Sequence, residues 1–475
     1  MSTFSGLSTA LSSLIAQRQA LDVAGQNIAN ANTPGYTRQR ADLQSVQALT
    51  APTMFSNSLA AGNGVKAIGI ARLGDVFLDA RVRAETGAAA YQKAQAQGLD
   101  RLQSTLTEPA DNGFSAALGE FWASWEDVAN RPDDAAARKV VLGAAETLRA
   151  QISAGYRSVE TQWSQMRTET DTLATEVNST AAEVAHLNEQ IRSILVSGGS
   201  ANELMDRRDL AVTKLSELVG AEGRHREDGT IDVMVGGNAL VRGVKANEVV
   251  VQGSYQMVPG TSGTEADRVQ LRWAGTGSPL VPTGGRLASH LADLAQDGAL
   301  DGAATAWNGI ARTLHDQVNA VHVTGRDLTA AGDGTPDFFR LGAGVPEAIG
   351  LQVTIDDPDH IRAASAVPGS GPLDGSVAQR MSGLAALDGS PDLLWREFVV
   401  DLGVRTRAAE QRAPVTETAR ATAQNLQLSQ ASVDLDEETV NMLAMQRAYE
   451  GAARVLTAVD EMLDVLINRT GLVGR

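Results

Sequence analysis

Residues 433–466, VDLDEETVNMLAMQRAYEGAARVLTAVDEMLDVL, decide how the rest of the chain is read. Leu435, Met442, Met445, Tyr449, Ala452, Leu456, Val459, Leu463 and Leu466 recur in steps of three and four or their multiples, with Glu438 at the one polar seam position. This is the narrow apolar stripe of a coiled coil, not the broad face of a globular helix. Asp434 stands ready to cap the first turn, and Glu437, three residues on, completes the pattern of a capping box. Arg469 suits the negative pole of the helix and Gly471 its end. So thin a seam buries too little to offset the cost of nucleating an isolated helix. The helix is therefore expected to need a partner, and to fray without one.

The opposite end offers that partner. Residues 1–43 read as a polar-rich helix with Phe4, Leu7, Leu11, Leu14, Leu21 and Ile28 on the same rhythm, interrupted at Arg18 and Gly25. It should stop near Asn32, because Pro34 disfavours a helical Thr33 and Gly35 permits a turn. Asn27 and Asn30 share one face. They serve either as hydrogen-bonding groups between subunits or as caps of the helix end.

Between these ends the pattern is mostly helical. A polar extended stretch to Gly64 precedes an apolar one over 65–78, and helix is expected from Glu85 to Gly220. Within it, Leu99, Leu102 and Leu106 mark one helix, and Phe114, Leu118, Phe121, Trp122 and Trp125 a strongly apolar face. A long helix runs from Asp134 to Val196, with Pro132 read as a first-turn residue and Gly143 and Gly155 as weak points. Asp228-Gly229, the alternating Ile231, Val233 and Val235, and Gly236-Gly237-Asn238 read as a hairpin. Strands are added at 249–251, 269–273 and 351–355, and helix returns over 287–323 and 391–430. The fold class is α+β, mainly α: terminal helices pairing as a coiled coil (1–45 and 432–475), an elongated helical rod with a minor β region (46–220 and 284–431), and a small inserted β domain (221–283). The nested order predicts that the β domain protrudes at the pole opposite the termini.

Composition narrows the function. A net charge of −17 argues against nonspecific nucleic-acid binding, which needs a basic face, and is read as solubility. The absence of cysteine excludes a disulfide framework, a thiolate metal site and a cysteine nucleophile. No apolar run approaches the roughly 18 residues of a membrane span, and no cleaved signal peptide is expected. His315 and His322 are two helical turns apart but lack a His-Glu-x-x-His context. Asp356-Asp357-Pro358-Asp359 lacks the calcium-loop pattern and reads as a solvated turn. The paired glycines at 198–199, 236–237 and 284–285 lack the Gly-Lys-Ser/Thr ending of a phosphate loop. No catalytic residue, metal ligand or cofactor site is expected, and the chain is not read as an enzyme.

The residues 26–36, QNIANANTPGY, resemble the signature shared by bacterial flagellar rod, hook and junction proteins. Narrower likeness comes from Gly62-Asn63-Gly64-Val65 with Arg72, Phe121-Trp122, and residues 130–134, NRPDD. Residues 188–191, NEQI, and 202–209, NELMDRRD, follow, as do VDLDEE at 433–438 and MQRAY at 445–449. Together they are similar to the hook-associated protein 1 family, the first hook–filament junction proteins. Ser432 and Asp434 depart from that pattern, which has Gly and Asn there. The resemblance implies export without a cleaved signal through the flagellar type III apparatus, and a place outside the cell at the hook tip. It also implies a ring of copies of this chain, touching the hook protein and the second junction protein. A cytoplasmic export chaperone would hold the C-terminal helix, covering Leu456, Val459 and Leu463 in a groove. The assembly residues expected on this basis are Leu7, Leu11, Leu14, Leu21, Asn27, Ile28, Asn30, Pro34, Gly35 and Tyr36. At the other end, for assembly and chaperone alike, they are Leu435, Met442, Met445, Tyr449, Leu456, Val459, Leu463 and Leu466. No nucleic-acid or membrane partner is implied. Another axial protein, hook or rod, is the near alternative, and an axial scaffold displaying an adhesin or enzyme domain the distant one.

Overall fold

A computed structural model describes residues 3–47, 62–106, 108–258, 264–329, 337–367, 371, 373–465 and 467. Helix α1 spans Thr3–Asn30, β1 Gln39–Ser45, β2 Val65–Arg72, α2 Val76–Ser104, α3 Phe114–Asn130, α4 Ala135–Val196 and α5 Asn202–Val219. Strands β3 Glu222–His225, β4 Ile231–Val235, β5 Asn238–Arg242, β6 Lys245–Ala246, β7 Val249–Gln252 and β8 Gln270–Trp273 follow. Then come α6 Gly285–Leu294, α7 Ala299–His322, β9 Gly325–Arg326, β10 Phe339–Leu341, α8 Glu347–Gly350, β11 Leu351–Val353 and β12 Ala364–Ser365. Helices α9 Ser376–Ser382, α10 Pro391–Ala431 and α11 Leu435–Asp464 close the chain.

The long axis is α4. Its 62 residues pass both glycines without a break, which at 1.5 Å per residue makes a rod of roughly 90 Å. Asp134 caps it by accepting the Ala136 N–H at 2.8 Å. Pro132 lies before the cap and not in the first turn, and its carbonyl accepts from the buried Arg138 Nε at 2.7 Å. The helix survives its glycines because Leu148, Ile152, Tyr156, Val159 and Trp163 are all buried along one face, so packing overrides propensity. At Gly155 the small residue is required: a Cβ there would stand 2.3 Å from the Trp307 ring.

Two large apolar cores, with a small third cluster of Leu187, Ile191 and Ala201, divide the body. At one pole Phe114, Phe121, Trp125, Trp307, Phe338 and Trp395 interlock around the N-terminal half of α4, with edge-on rings such as Phe114–Trp395 at 5.0 Å. Helices α2 and α10 pack along each other and reach from this pole towards the termini. The second core gathers Val177, Ala181 and Val184 of α4, Val212 and Leu215 of α5, and the strand residues Ile231, Val233 and Val241.

That second core overturns the expected protruding β domain. The antiparallel sheet β3–β4–β5–β6 lies flat on α4 and α5. Asn188 of α4 pins it, donating to the carbonyls of Ile231 and Gly243 at 2.8 and 2.7 Å and accepting the Ile231 N–H at 3.1 Å. The adjoining end of α5 touches β1 and β2, so the sheet sits on the terminal side and the aromatic core occupies the far pole. The chain leaves the helices at Gly220 and returns at Gly284, where backbones nearly touch. A Cβ on Gly220 (φ 67°) would lie 2.6 Å from the Gly284 nitrogen.

Three further expectations change. Helix begins at Val76, where Asp75 caps it, and not at Glu85. The stretch 287–323 is two helices, parted where Asp297 takes φ 63° before Gly298. The N-terminal helix ends at Asn30, as the stop expected near Asn32 requires, so the helical reading of 1–43 fails over residues 39–45, which form a strand paired with β2.

Candidate assembly interface

Helices α1 and α11 pack side by side. Gly6 approaches Val459 at one end, while Asn27 and Ala20 share a cavity of about 300 Å³ with Asn441 and Met445 at the other. The pair is therefore antiparallel and brings the start of α1 beside the later turns of α11.

The sides that meet differ from expectation on α1. Its buried residues are Ala10, Ala16, Ala20, Val23, Ala24 and Asn27, a small-residue face beside the leucine stripe. Leu7, Leu14, Leu21 and Ile28 are half-buried, and Leu11 and Ile15 are 51% and 60% exposed. Close approach of two helices favours alanine over leucine, and the larger side chains are left at the edge. On α11 the expected seam does turn inward: Val459 is buried, and Met442, Met445, Leu456 and Leu463 are half-buried. Leu435 and Tyr449 are exposed, together with Val440, Leu443, Val455 and Met462. The side chain of Phe4 and residues Leu466, Arg469 and Gly471 lie outside the described residues.

The turn after α1 is held by one side chain. Asn27 is buried; its Nδ2 donates to the Gln39 carbonyl at 2.8 Å, and its Oδ1 accepts the Gln39 N–H and the Tyr36 hydroxyl, both at 2.9 Å. Within the chain it clasps the turn to β1 and does not cap the helix. Asn30 acts locally, donating to the Gln26 carbonyl at 3.0 Å. Pro34 is exposed, and Gly35 takes φ 78° with Leu210 of α5 beside it.

A polar weld then joins this module to the body. The Thr37 N–H donates to Asp206 at 3.1 Å, and Arg72 bridges Asp206 at 2.7 Å and Asp209 at 2.9 Å. Asn202 donates to Gln39 Oε1 and to the Ile70 carbonyl, each at 3.0 Å. Burial raises the Asp206 carboxyl above the usual range against the pull of Arg72. Burial acts upward on Asp209 too, but Arg208, Arg72 and Arg83 together hold it below. Burial, with Asp206 beside it, pushes the Tyr36 hydroxyl up to about 12. Among the described residues, none of α1, β1, β2 or α11 belongs to a body core. The weld was not legible beforehand: NELMDRRD stood out as a string, yet nothing local showed that its acids are buried against Arg72.

Arg38 ties the module to itself. Its N–H donates to the Ala431 carbonyl at 2.8 Å, and its guanidinium grips Glu438 at 2.6 Å and Glu437 at 2.9 Å. Asp434 caps α11 as expected, accepting from Asp436 and Glu437 N–H groups. The return arm of the capping box is absent, because the Glu437 carboxylate is engaged with Arg38.

Elsewhere, among the described residues, no three His, Asp or Glu side chains gather as metal ligands. His322 is buried, and its Nε2 accepts the Arg362 N–H at 3.0 Å; His315 pairs with Asp316. Asp357 caps a short turn by accepting the Asp359 N–H. No helix is long and apolar enough to cross a membrane among the described residues.

Comparison with known proteins adds three family matches. Residues 99–339 match the flagellar hook-associated protein FlgK helical domain. Residues 7–37 match the flagella basal body rod protein family, and 425–469 the flagellar basal body rod FlgEFG protein C-terminal family. Flagellar hook-associated protein 1 of Bacillus subtilis is 28% identical, each chain covered in full. That of Salmonella typhimurium is 28% identical over 71% of this chain, which spans only 59% of that relative. In fold, the flagellar hook junction protein FlgK from Burkholderia pseudomallei superposes with a TM-score of 0.63 at 16% identity, over 73% of this chain and 99% of that one.

Proposed function

Since this chain belongs to the flagellar hook-associated protein FlgK family, whose helical domain it matches over residues 99–339, we propose that it is a structural, non-catalytic subunit of the hook–filament junction, joined to its neighbours through the α1–α11 pair. The carrying observation is that pair's half-used surface. Its inner contact is alanine-rich, while Leu11, Ile15, Val440, Leu443, Val455 and Met462 stay exposed on two helices at one pole. Apolar side chains left on paired helices suit burial by further helices of the same kind. The two terminal matches are to rod-protein families and speak for an axial component. The helical-domain match favours the hook-associated member over a rod or hook protein.

On this reading the module comprises 1–45 and 432–475, the rod 46–220 and 284–431, and the β insert 221–283. Its neighbours are other copies in a ring, the hook protein and the second junction protein, outside the cell. Before export a chaperone covers the inward seam of α11 at Leu456, Val459 and Leu463, and with it α1 is displaced. Removing residues 1–33 or 434–475 should leave a folded body that no longer joins hooks, as seen by electron microscopy of hook tips mixed with the purified chain. A double truncation that still caps hooks would refute the terminal mechanism. In the dilute monomer, amides of 456–466 should exchange fast, and strong protection there would count against it.

A further inference from the structure

Three residues of α6 hold buried side-chain atoms with no hydrogen-bond partner among the described residues: Ser289 Oγ, His290 Nδ1 and Asp293 Oδ2. Asp293 is the sharpest case. It stands in the last turn of α6, where the free carbonyls of the helix end concentrate negative partial charge. Its Oδ2 presses on α2 so closely that a Cβ on Gly98 would lie 2.9 Å away. From α4, Met166 packs over Gly98, and Gln162 donates to the Gly98 carbonyl at 3.0 Å.

The charges around the site are few. Arg101 of α2 draws the carboxyl towards ionisation, and burial outweighs it, pushing Asp293 up to about 7. His290 on the same helix is faced by Glu169 of α4, Arg286 of α6 and Arg101. Asp301 of α7 accepts the Asp297 N–H at 3.1 Å in the adjoining loop.

We propose that Asp293 is a proton-dependent latch: α6 seats fully against α2 and α4 while this carboxyl is protonated, and the seat loosens when the proton leaves. The inference rests on this packing alone and not on the assembly role. Its reach extends to the base of the sheets, because α6 begins at the glycine contact of Gly220 with Gly284.

The direction follows from linkage. When α6 opens, the carboxyl returns towards its ordinary 3.8. The seat is therefore strongest below that value, weakens as pH rises to about 7, and is flat beyond. His290 runs the other way: burial pushes its imidazole down to about 4, so its contribution is whole above 6.5 and lost as pH falls.

Comparing the chain with Asp293→Asn cancels the histidine. Amide exchange over 287–294, corrected for its intrinsic pH dependence, reads the opening of α6. The ratio of opening in the native chain to that in the variant should climb with pH by up to about tenfold per unit between about 4 and 7, then level off. A ratio that is flat or falls overturns the latch. Should the variant not fold, carbon-13 titration of the Asp293 carboxyl in the native chain decides: a midpoint near neutrality supports the latch, and one in the ordinary carboxylate range overturns it.

Discussion

The Arg38 guanidinium meets the Glu438 carboxylate at 2.6 Å across 400 residues of sequence, in the angle between the first turn and the last helix. Glu438 is only 3% exposed, so removing its partner strands a buried charge. Arg38→Ala should cost about 2–3 kcal/mol of denaturant stability in the terminal module. Glu437→Gln, at an exposed carboxylate, should cost less than about 1 kcal/mol. Equal losses would mean that burial of Glu438 is not what matters.

Asn27 is expected to behave as a clasp. Asn27→Ala removes both contacts to Gln39 and the one from Tyr36 and leaves the Gln39 amide without its acceptor. A loss of about 2–3 kcal/mol should appear, with faster exchange of the Gln39 amide and unchanged exchange in the aromatic core. Unaltered protection at Gln39 would show that the turn holds without it.

The two glycines inside α4 should respond with opposite signs. Gly143 has open space where a Cβ would go, so Gly143→Ala should raise thermal stability by about 0.5–1 kcal/mol. Gly155→Ala drives a methyl into the Trp307 ring, itself wedged against Phe114 and Trp395, and should lower stability by about 1–3 kcal/mol. Thermal unfolding of the two variants side by side checks the pair.

Acid should act through His322. Burial and the nearby Arg362 push its imidazole down to about 3, below the ordinary 6.5. Its contribution to stability is thus complete above 6.5 and lost as pH falls towards 3. The melting temperature of the native chain minus that of His322→Gln should shrink steadily from pH 7 to pH 4. A constant difference would place the acid sensitivity elsewhere.

Local chemistry explains what could be read in advance. Asp434 caps its helix as its place before the apolar seam predicts, and α4 runs to Val196 as its helical pattern predicts. The alternation Ile231, Val233, Val235 forms the buried side of β4. Each of these depends on neighbours a few residues away. The contacts of Asp206 with Arg72, or Asn202 with Gln39, depend on residues more than a hundred positions apart, and no periodicity carries that information.

By itself, then, the sequence determined that both ends are helices with apolar stripes, that α4 is long, and that a hairpin follows Gly220, because helical period, caps and turns are short-range properties. Tertiary structure alone decided which stripe of α1 is used. Leucine and alanine faces lie side by side there, and burial chose the alanines, since only small side chains let α1 approach α11 closely. It likewise laid the sheet against α4 and α5, because an apolar strand face is stabilised only where a matching helix face is within reach.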